Sequence, residues 1–61
     1  MITYYIIKER NGQQMIASGH VVRYTYNVNA AKHFTSQWSA EQWLKKVPDS
    51  ELFTIVKIER Y

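Results

Sequence analysis

The segment that most constrains the fold is ITYYIIKE, residues 2–9, because most of its residues are β-branched or aromatic. Such residues favour an extended strand. Successive side chains of a strand point to opposite faces, so Tyr4 and Ile6 would line one face and Tyr5 and Ile7 the other. Both faces are therefore apolar, which predicts a strand at the centre of a sheet with apolar surface to cover on each side.

Three further segments have strand character. Asn11-Gly12 is a strong hairpin signal because both residues tolerate positive φ, and it predicts a return strand over residues 14–18. Residues 21–28, VVRYTYNV, alternate between two faces and predict a half-buried third strand. Residues 52–60, LFTIVKIER, are again rich in β-branched residues and predict the last strand.

A short helix is predicted between the third and fourth strands. With Ser39 as the N-cap, Gln42 stands three residues into the helix and completes a capping box. Trp38 precedes this cap and pairs with Trp43 in a hydrophobic staple, and Pro48 ends the helix. A single apolar stripe at helical spacing would face the sheet: Ala40, Trp43, Leu44 and Val47.

The order of these segments is β-β-β-α-β. It predicts an α+β fold, with a three- to four-stranded antiparallel sheet and one main helix packed on one face. The chain has 61 residues and no cysteine, so we expect a single small domain over residues 1–61 that needs an efficient core or a second copy of itself. The predicted core is Ile6, Tyr24, Tyr26, Phe34, Trp43, Leu44, Val56 and Ile58.

One helix covers only one face of such a sheet, so the other face of the first strand needs a different cover. Tyr5 and Ile7 are the candidates for an open, partner-binding face, and Trp38 at the helix entrance is a third candidate anchor. Exposed apolar patches mark interfaces, and tyrosine is enriched there. We therefore expect a protein-binding chain, which docks through a sheet face or an edge strand and forms a homodimer or binds another protein.

Nucleic-acid binding is the alternative, because the formal net charge is +3 and basic groups attract phosphate. The candidate contacts are Arg23, Lys45, Lys46 and Lys57, with aromatic rings available to stack on bases. The eight basic residues are spread along the chain among acidic ones, whereas dedicated binders concentrate them on one face. The signature of the RNA-recognition motif is also missing from the sequence. Protein binding is the favoured interpretation.

The sequence predicts no catalytic, metal or cofactor site. His20 and His33 match no metal-ligand spacing, since the chain has no cysteine and one aspartate, Asp49. It contains no nucleophile elbow or phosphate loop, and a chain of this size has little room for a small-molecule pocket. No segment approaches the ~20 apolar residues of a membrane span, and the lack of cysteine fits a reducing cytoplasm. We expect a non-enzymatic cytoplasmic protein.

Four segments carry a resemblance to a known group of proteins: MITYYIIK, RYTYNVNAAKHF with its A-x-x-F turn at residues 31–34, SQWSAEQWL and IVKIE. In this order they resemble the short orphan proteins encoded by bacteriophages and prophages of Gram-positive bacteria. The likeness spans most of the chain. It implies a protein that acts by binding in the host cytoplasm, where some members of this group block host defence systems and others redirect host enzymes. The resemblance assigns no functional residue.

Overall fold

A computed structural model of the chain describes residues 1–19 and 23–61. The strands are β1 (Ile2–Glu9), β2 (Met15–Ile16), β3 (Tyr24–Thr25) and β4 (Phe53–Arg60). The helix α1 spans Gln37–Leu44, and a short 3₁₀ helix, Ser50–Leu52, leads into β4. The four strands form one antiparallel sheet in the order β3-β2-β1-β4. The α+β fold and the β-β-β-α-β order predicted from the sequence are confirmed.

β1 is the central strand, as its two apolar faces predict. On one side, all eight of its residues lie opposite residues of β4. On the other side, Lys8 pairs with Met15 of β2, and Tyr5 exchanges two backbone hydrogen bonds with Phe34, at 2.9 and 2.8 Å. Both edges of β1 are thus used for hydrogen bonds within the chain.

Each face of β1 packs into its own apolar cluster, so neither face is left open. The cluster on the helix side has the buried members Ile7, Ile16, Phe34, Ala40 and Phe53. The cluster on the opposite face has the buried members Tyr4, Ile6, Met15 and Ala31. The second cluster is closed by the chain between β3 and α1, which contributes Ala31 and the partly buried Val28.

The prediction that Ile7 faces a partner is wrong. Its side chain is 0% exposed in the helix-side cluster, because α1 packs on the same face of β1 that carries Tyr5 and Ile7. Tyr5 is half-buried against that cluster. The opposite face, which lacks a helix, is covered by the segment that contains Val28 and Ala31.

Two predicted core residues are also misplaced: Tyr24 is 50% exposed and Tyr26 is 73% exposed. The third strand is the two-residue β3 at the outer side of the sheet, where less of the protein packs against it; Val21 and Val22 lie outside the described residues. The Tyr24 ring still stacks on Phe53, with ring centroids 6.1 Å apart. The rest of the predicted core is buried or partly buried: Ile6, Phe34, Trp43, Leu44, Val56 and Ile58.

The hairpin between β1 and β2 is confirmed, although its turn spans residues 10–14 and not the predicted residues 10–13. β1 ends at Glu9 and β2 begins at Met15. The Glu9 N–H donates to the Gln14 carbonyl at 2.9 Å, and the Gln14 N–H donates to the Glu9 carboxylate at 3.1 Å. Neither Asn11 nor Gly12 has a positive φ. The Glu9 side chain therefore holds this turn together in place of a tight two-residue turn.

The N-cap of α1 is Ser36, so the predicted cap at Ser39 is wrong. The Ser36 Oγ accepts the backbone N–H of Ser39 at 3.1 Å. Trp38 consequently lies inside the first turn and is 67% exposed, and no staple with Trp43 forms. The predicted apolar stripe is unaffected by this change of cap, because all its members pack on the helix-side cluster: Ala40, Trp43, Leu44 and Val47.

We expect Ser36→Ala to lower the free energy of unfolding by about 1 kcal/mol, because a backbone N–H at the helix start loses its acceptor. Ser39→Ala leaves that acceptor in place and serves as the matched control, with a smaller loss. Urea denaturation followed by tryptophan fluorescence measures both variants. A larger loss for Ser39→Ala than for Ser36→Ala would contradict the observed cap.

The Tyr4 hydroxyl is buried without a hydrogen-bond partner among the described residues. Its ring is 8% exposed and stacks on His33, with centroids 4.0 Å apart and an interplanar angle of 26°. Burial of an unpaired hydroxyl destabilises a fold. The aromatic ring of Tyr4 therefore stabilises the second cluster, and its oxygen opposes that effect.

We expect Tyr4→Phe to leave the free energy of unfolding unchanged or to raise it by up to about 1 kcal/mol, since it removes only the unpaired oxygen. Tyr4→Ala removes the ring as well and should cost about 3 kcal/mol or more. Urea denaturation midpoints compare the two variants. A clear loss of stability in Tyr4→Phe would show that the hydroxyl makes a favourable contact.

Candidate functional site

Among residues 1–19 and 23–61, the long outer strand β4 carries the main stretch of backbone that is left unpaired. It lies at one end of the strand order, with β1 on its inner side. It is eight residues long, whereas β3 at the other end of the sheet has two residues. An outer strand presents free N–H and C=O groups that can pair with another chain.

The register decides which backbone groups of β4 point outward. In an antiparallel strand the N–H and C=O of one residue point to the same side, and successive residues alternate. Tyr5 uses both groups on Phe34, away from β4. Lys57 lies opposite Tyr5, so its groups point away from β1, and so do those of Ile55 and Glu59. We call the outward backbone groups of Ile55, Lys57 and Glu59 the β4 edge.

Arg10 occupies the start of the outer side of β4. Its backbone N–H continues the β1–β4 ladder on the inner side, where it donates to the Leu52 carbonyl at 2.8 Å. Its guanidinium Nη2 donates to the outward Phe53 carbonyl at 3.3 Å. Phe53 would otherwise be the next outward residue before Ile55. The accessible part of the outer strand is therefore the β4 edge itself, toward Glu59.

Two opposite charges stand beside the β4 edge. The Lys57 Nζ lies 3.2 Å from the Glu59 Oε1, and the two side chains are 55% and 44% exposed. The hydrogen bond to Glu59 and then its charge, with a smaller contribution from Tyr5, raise the pKa of Lys57 above its usual 10.5. While Glu59 carries its negative charge, the pair stabilises the fold below pH 10.5, and this effect is lost as the pH rises through the raised pKa of Lys57.

Apolar side chains flank the β4 edge on the other face of the sheet. Val56 and Ile58 alternate with the edge residues and are only partly buried in the second cluster. Ile2, opposite Arg60 at the end of the ladder, is 66% exposed. The edge therefore combines free backbone groups, two charges of opposite sign and apolar surface, which are the components of a protein interface.

Trp38 is accessible, as expected for a partner-binding residue. It lies in the first turn of α1 and is 67% exposed. Trp43, five residues later in the same helix, is partly buried, and its ring centroid lies 5.9 Å from that of Phe34. The two tryptophans therefore have different roles: Trp43 packs against the sheet, and Trp38 is available to other molecules.

We expect Trp38→Ala to change the free energy of unfolding by less than about 0.5 kcal/mol, because little of the ring is buried. Trp43→Ala, the matched variant in the same helix, should cost about 3 kcal/mol because it leaves a cavity against Phe34. Thermal and urea denaturation measure both. If Trp38→Ala unfolded the protein, the predicted hydrophobic staple between Trp38 and Trp43 would be supported, and Trp38 would no longer be a candidate anchor for a partner.

The structure does not bring the predicted nucleic-acid contacts together along the sheet. Arg23 immediately precedes β3 at one outer side, and Lys57 lies in β4 at the other. Lys57 is also paired with Glu59. Lys45 and Lys46 follow the end of α1. The described residues therefore contain no continuous basic strand or helix face for a phosphate backbone.

A cleft of about 410 Å³ lies between α1, the 3₁₀ helix and the start of β4. Its charged lining residues are Arg10, Glu41, Lys45 and Glu51. Two basic and two acidic groups give the cleft no overall preference for an anion or a cation. The lysine in this cleft is thus accompanied by carboxylates, which disfavours a role in phosphate binding.

The described residues contain no cluster of three or more side chains suited to hold a metal ion. His33 is exposed, with its Nε2 3.3 Å from the Val28 carbonyl and its ring stacked on Tyr4, while His20 lies outside the described residues. Within residues 1–19 and 23–61, no helix is long and apolar enough to span a bilayer.

The sequence analysis missed Ile55 and Glu59 as site residues, and it missed Arg10 at the start of the edge. The Lys-x-Glu spacing in the last strand is visible in the sequence, since it places both charges on one face of a strand. The position of that strand at the outside of the sheet is not visible, because it depends on the pairing of β1 with β4.

Comparison with known proteins finds no family model, no curated protein and no solved structure that matches the chain. The resemblance to phage orphan proteins rests on the four sequence segments quoted above. The geometry of the β4 edge is therefore the main guide to function.

Proposed function

We propose that the chain is a non-enzymatic protein-binding module that accepts an extended segment of its partner as an additional strand along the β4 edge. The observation that carries this proposal is the eight-residue outer strand, with the outward backbone groups of Ile55, Lys57 and Glu59. In strand addition, main-chain hydrogen bonds supply affinity and alternate side chains supply specificity.

The packing of the sheet supports an edge contact in preference to a face contact. α1 covers one face of β1, and the segment with Val28 and Ala31 covers the other. A partner on either face of β1 would have to displace one of these covers. A partner strand at the β4 edge displaces none of the described residues, and Trp38 on α1 offers an additional aromatic anchor of the kind that dominates binding energy.

The proposed target class follows from the resemblance to phage and prophage proteins. A target of that class is a host protein in the bacterial cytoplasm, either a component of a defence system or an enzyme whose action the bound protein blocks or redirects. The proposal requires no cofactor, because the contact is made by backbone groups and side chains of the β4 edge.

The proposal is tested by selecting binders from a displayed library of random peptides on the immobilised protein, at about 0.15 M salt. We expect the enriched peptides to be extended and to shift the backbone amide NMR signals of Ile55, Lys57 and Glu59. Lys57→Pro removes one outward N–H without removing a ladder bond to β1, and it should abolish peptide binding. Lys57→Thr also removes the ammonium group but keeps the N–H, and it should retain binding.

Peptides that shift other amides and bind Lys57→Pro as well as the unchanged protein would overturn the edge assignment. The nucleic-acid alternative is tested in parallel with single- and double-stranded oligonucleotides. Binding that falls steeply with rising salt and fails on combined replacement of Arg23, Lys45, Lys46 and Lys57 by Gln would favour it. Circular dichroism of each variant confirms that the fold is retained.

A further inference from the structure

We propose that the strand accepted at the β4 edge is β4 of a second copy of this chain, antiparallel to the first and related to it by a two-fold axis at Ile58. In this arrangement Lys57 lies opposite Glu59 of the second copy, and Glu59 lies opposite its Lys57. The inference rests on the proposed function, because it uses strand addition at the same edge, and it makes a second copy, in place of a host protein, the occupant of that edge. Two contacts related by the axis would form a self-complementary interface.

The hydrogen-bonding side of each residue limits the possible registers. Two strands can pair only where the backbone groups of both point outward. In the second copy, the residues with outward groups are Phe53, Ile55, Lys57, Glu59 and Tyr61, so each edge residue of the first copy must lie opposite one of these five. Pairing Lys57 with Glu59 satisfies this rule. The residue on the axis is then Ile58, whose own backbone groups point inward to Tyr4 of β1.

Charge selects among the allowed registers. A two-fold axis at Lys57 places the two Lys57 ammonium groups opposite each other, and an axis at Glu59 does the same for two carboxylates. An axis at Val56 places Lys57 opposite Ile55 and leaves both charges without an opposite partner. The axis at Ile58 places opposite charges across from each other at two positions, and cross-strand pairs of this kind are favourable while like pairs are unfavourable.

The Lys57–Glu59 pair can act on edge pairing in one of two ways: it can block association at the β4 edge, or it can select the register of association. Lysines on an outer strand commonly discourage edge-to-edge association. Here the lysine is accompanied by a glutamate two residues away on the same face, 3.2 Å from it. This pattern opposes the registers that place like charges together and supports the one about Ile58, so it specifies a register instead of blocking the edge.

Apolar packing and the position of Arg10 favour the same register. Directly opposite residues that do not exchange hydrogen bonds have the shorter Cα separation, about 4.5 Å, so the two Ile58 side chains would meet on the axis. Ile58 and Val56 are partly buried in the monomer and have surface left to bury. The Phe53 carbonyl already accepts a hydrogen bond from Arg10 at 3.3 Å, which disfavours registers that extend to the start of β4.

Charge-reversal variants give the sharpest test, with mass measured by analytical ultracentrifugation at about 0.15 M salt. We expect a dimer for the unchanged chain. Lys57→Glu and Glu59→Lys each create two like-charge contacts, and each should weaken the dimer about tenfold or more. An equimolar mixture of the two variants should form a heterodimer, because each position then faces an opposite charge. The double variant with both substitutions should also recover the homodimer.

The outcomes separate this inference from the proposed function. A dimer that persists in Lys57→Pro would overturn the register about Ile58. So would a dimer that each single charge reversal weakens but that the equimolar mixture of the two variants does not restore. The unchanged chain could instead be monomeric at millimolar concentration and still bind selected peptides that Lys57→Pro does not bind. That result would overturn the second copy as the occupant of the β4 edge, and the proposal of strand addition at this edge would stand. If the unchanged chain neither dimerises nor binds any selected peptide at the β4 edge, both proposals are overturned.

Discussion

The eight-residue ladder between β1 and β4 is the constraint on which the rest of the structure depends. It fixes β1 at the centre of the sheet and sets the alternation that sends Tyr5 and Ile7 toward α1, and Tyr4 and Ile6 away from it. Two apolar clusters form on one strand as a result, so one helix cannot cover both. The chain between β3 and α1 supplies the second cover. A small chain with no disulfide thereby uses both faces of its central strand to bury apolar surface.

The same ladder decides where another molecule can bind. Both faces of β1 are covered, and its second edge is occupied by Met15 and Phe34, so the long unpaired backbone lies on the outer side of β4. The Lys57–Glu59 pair lies in the second half of that strand. If two copies pair there, the result is a continuous sheet in which both helices lie on the same face, because opposite residues of an antiparallel pair point to one side. Two copies of Trp38 would then stand on that face as a bivalent surface.

The sequence predicted the parts of the fold that depend on local pattern. The apolar faces of residues 2–9 identified the central strand, and the spacing of Ala40, Trp43 and Leu44 identified the buried stripe of α1. The helix cap was misplaced because Ser36 and Ser39 both satisfy the local rules for an N-cap, and only the packed structure distinguishes them. The open face was wrongly expected because the alternation of residues 21–28 predicts a strand up to Val28, whereas β3 ends at Thr25 and the chain beyond it covers β1 through Val28 and Ala31. The β4 edge was missed for a related reason: pairing order is a long-range property that local propensity does not encode.

The pairing of β1 with β4 joins segments from opposite ends of the chain, and this has a consequence for how the protein folds. The central strand β1 is synthesised before all the other strands of the sheet, and β4, which pairs along one whole side of it, is synthesised after them. The loop between them must close before the ladder can form, and contacts at such large sequence separation slow folding. On the ribosome, β1 would remain without its main partner until β4 has emerged. Because Ile2 and Arg60 end up opposite each other, a short linker between the two ends would make that contact local, and a circularly permuted chain opened in the turn between β1 and β2 should fold faster while it keeps the same sheet.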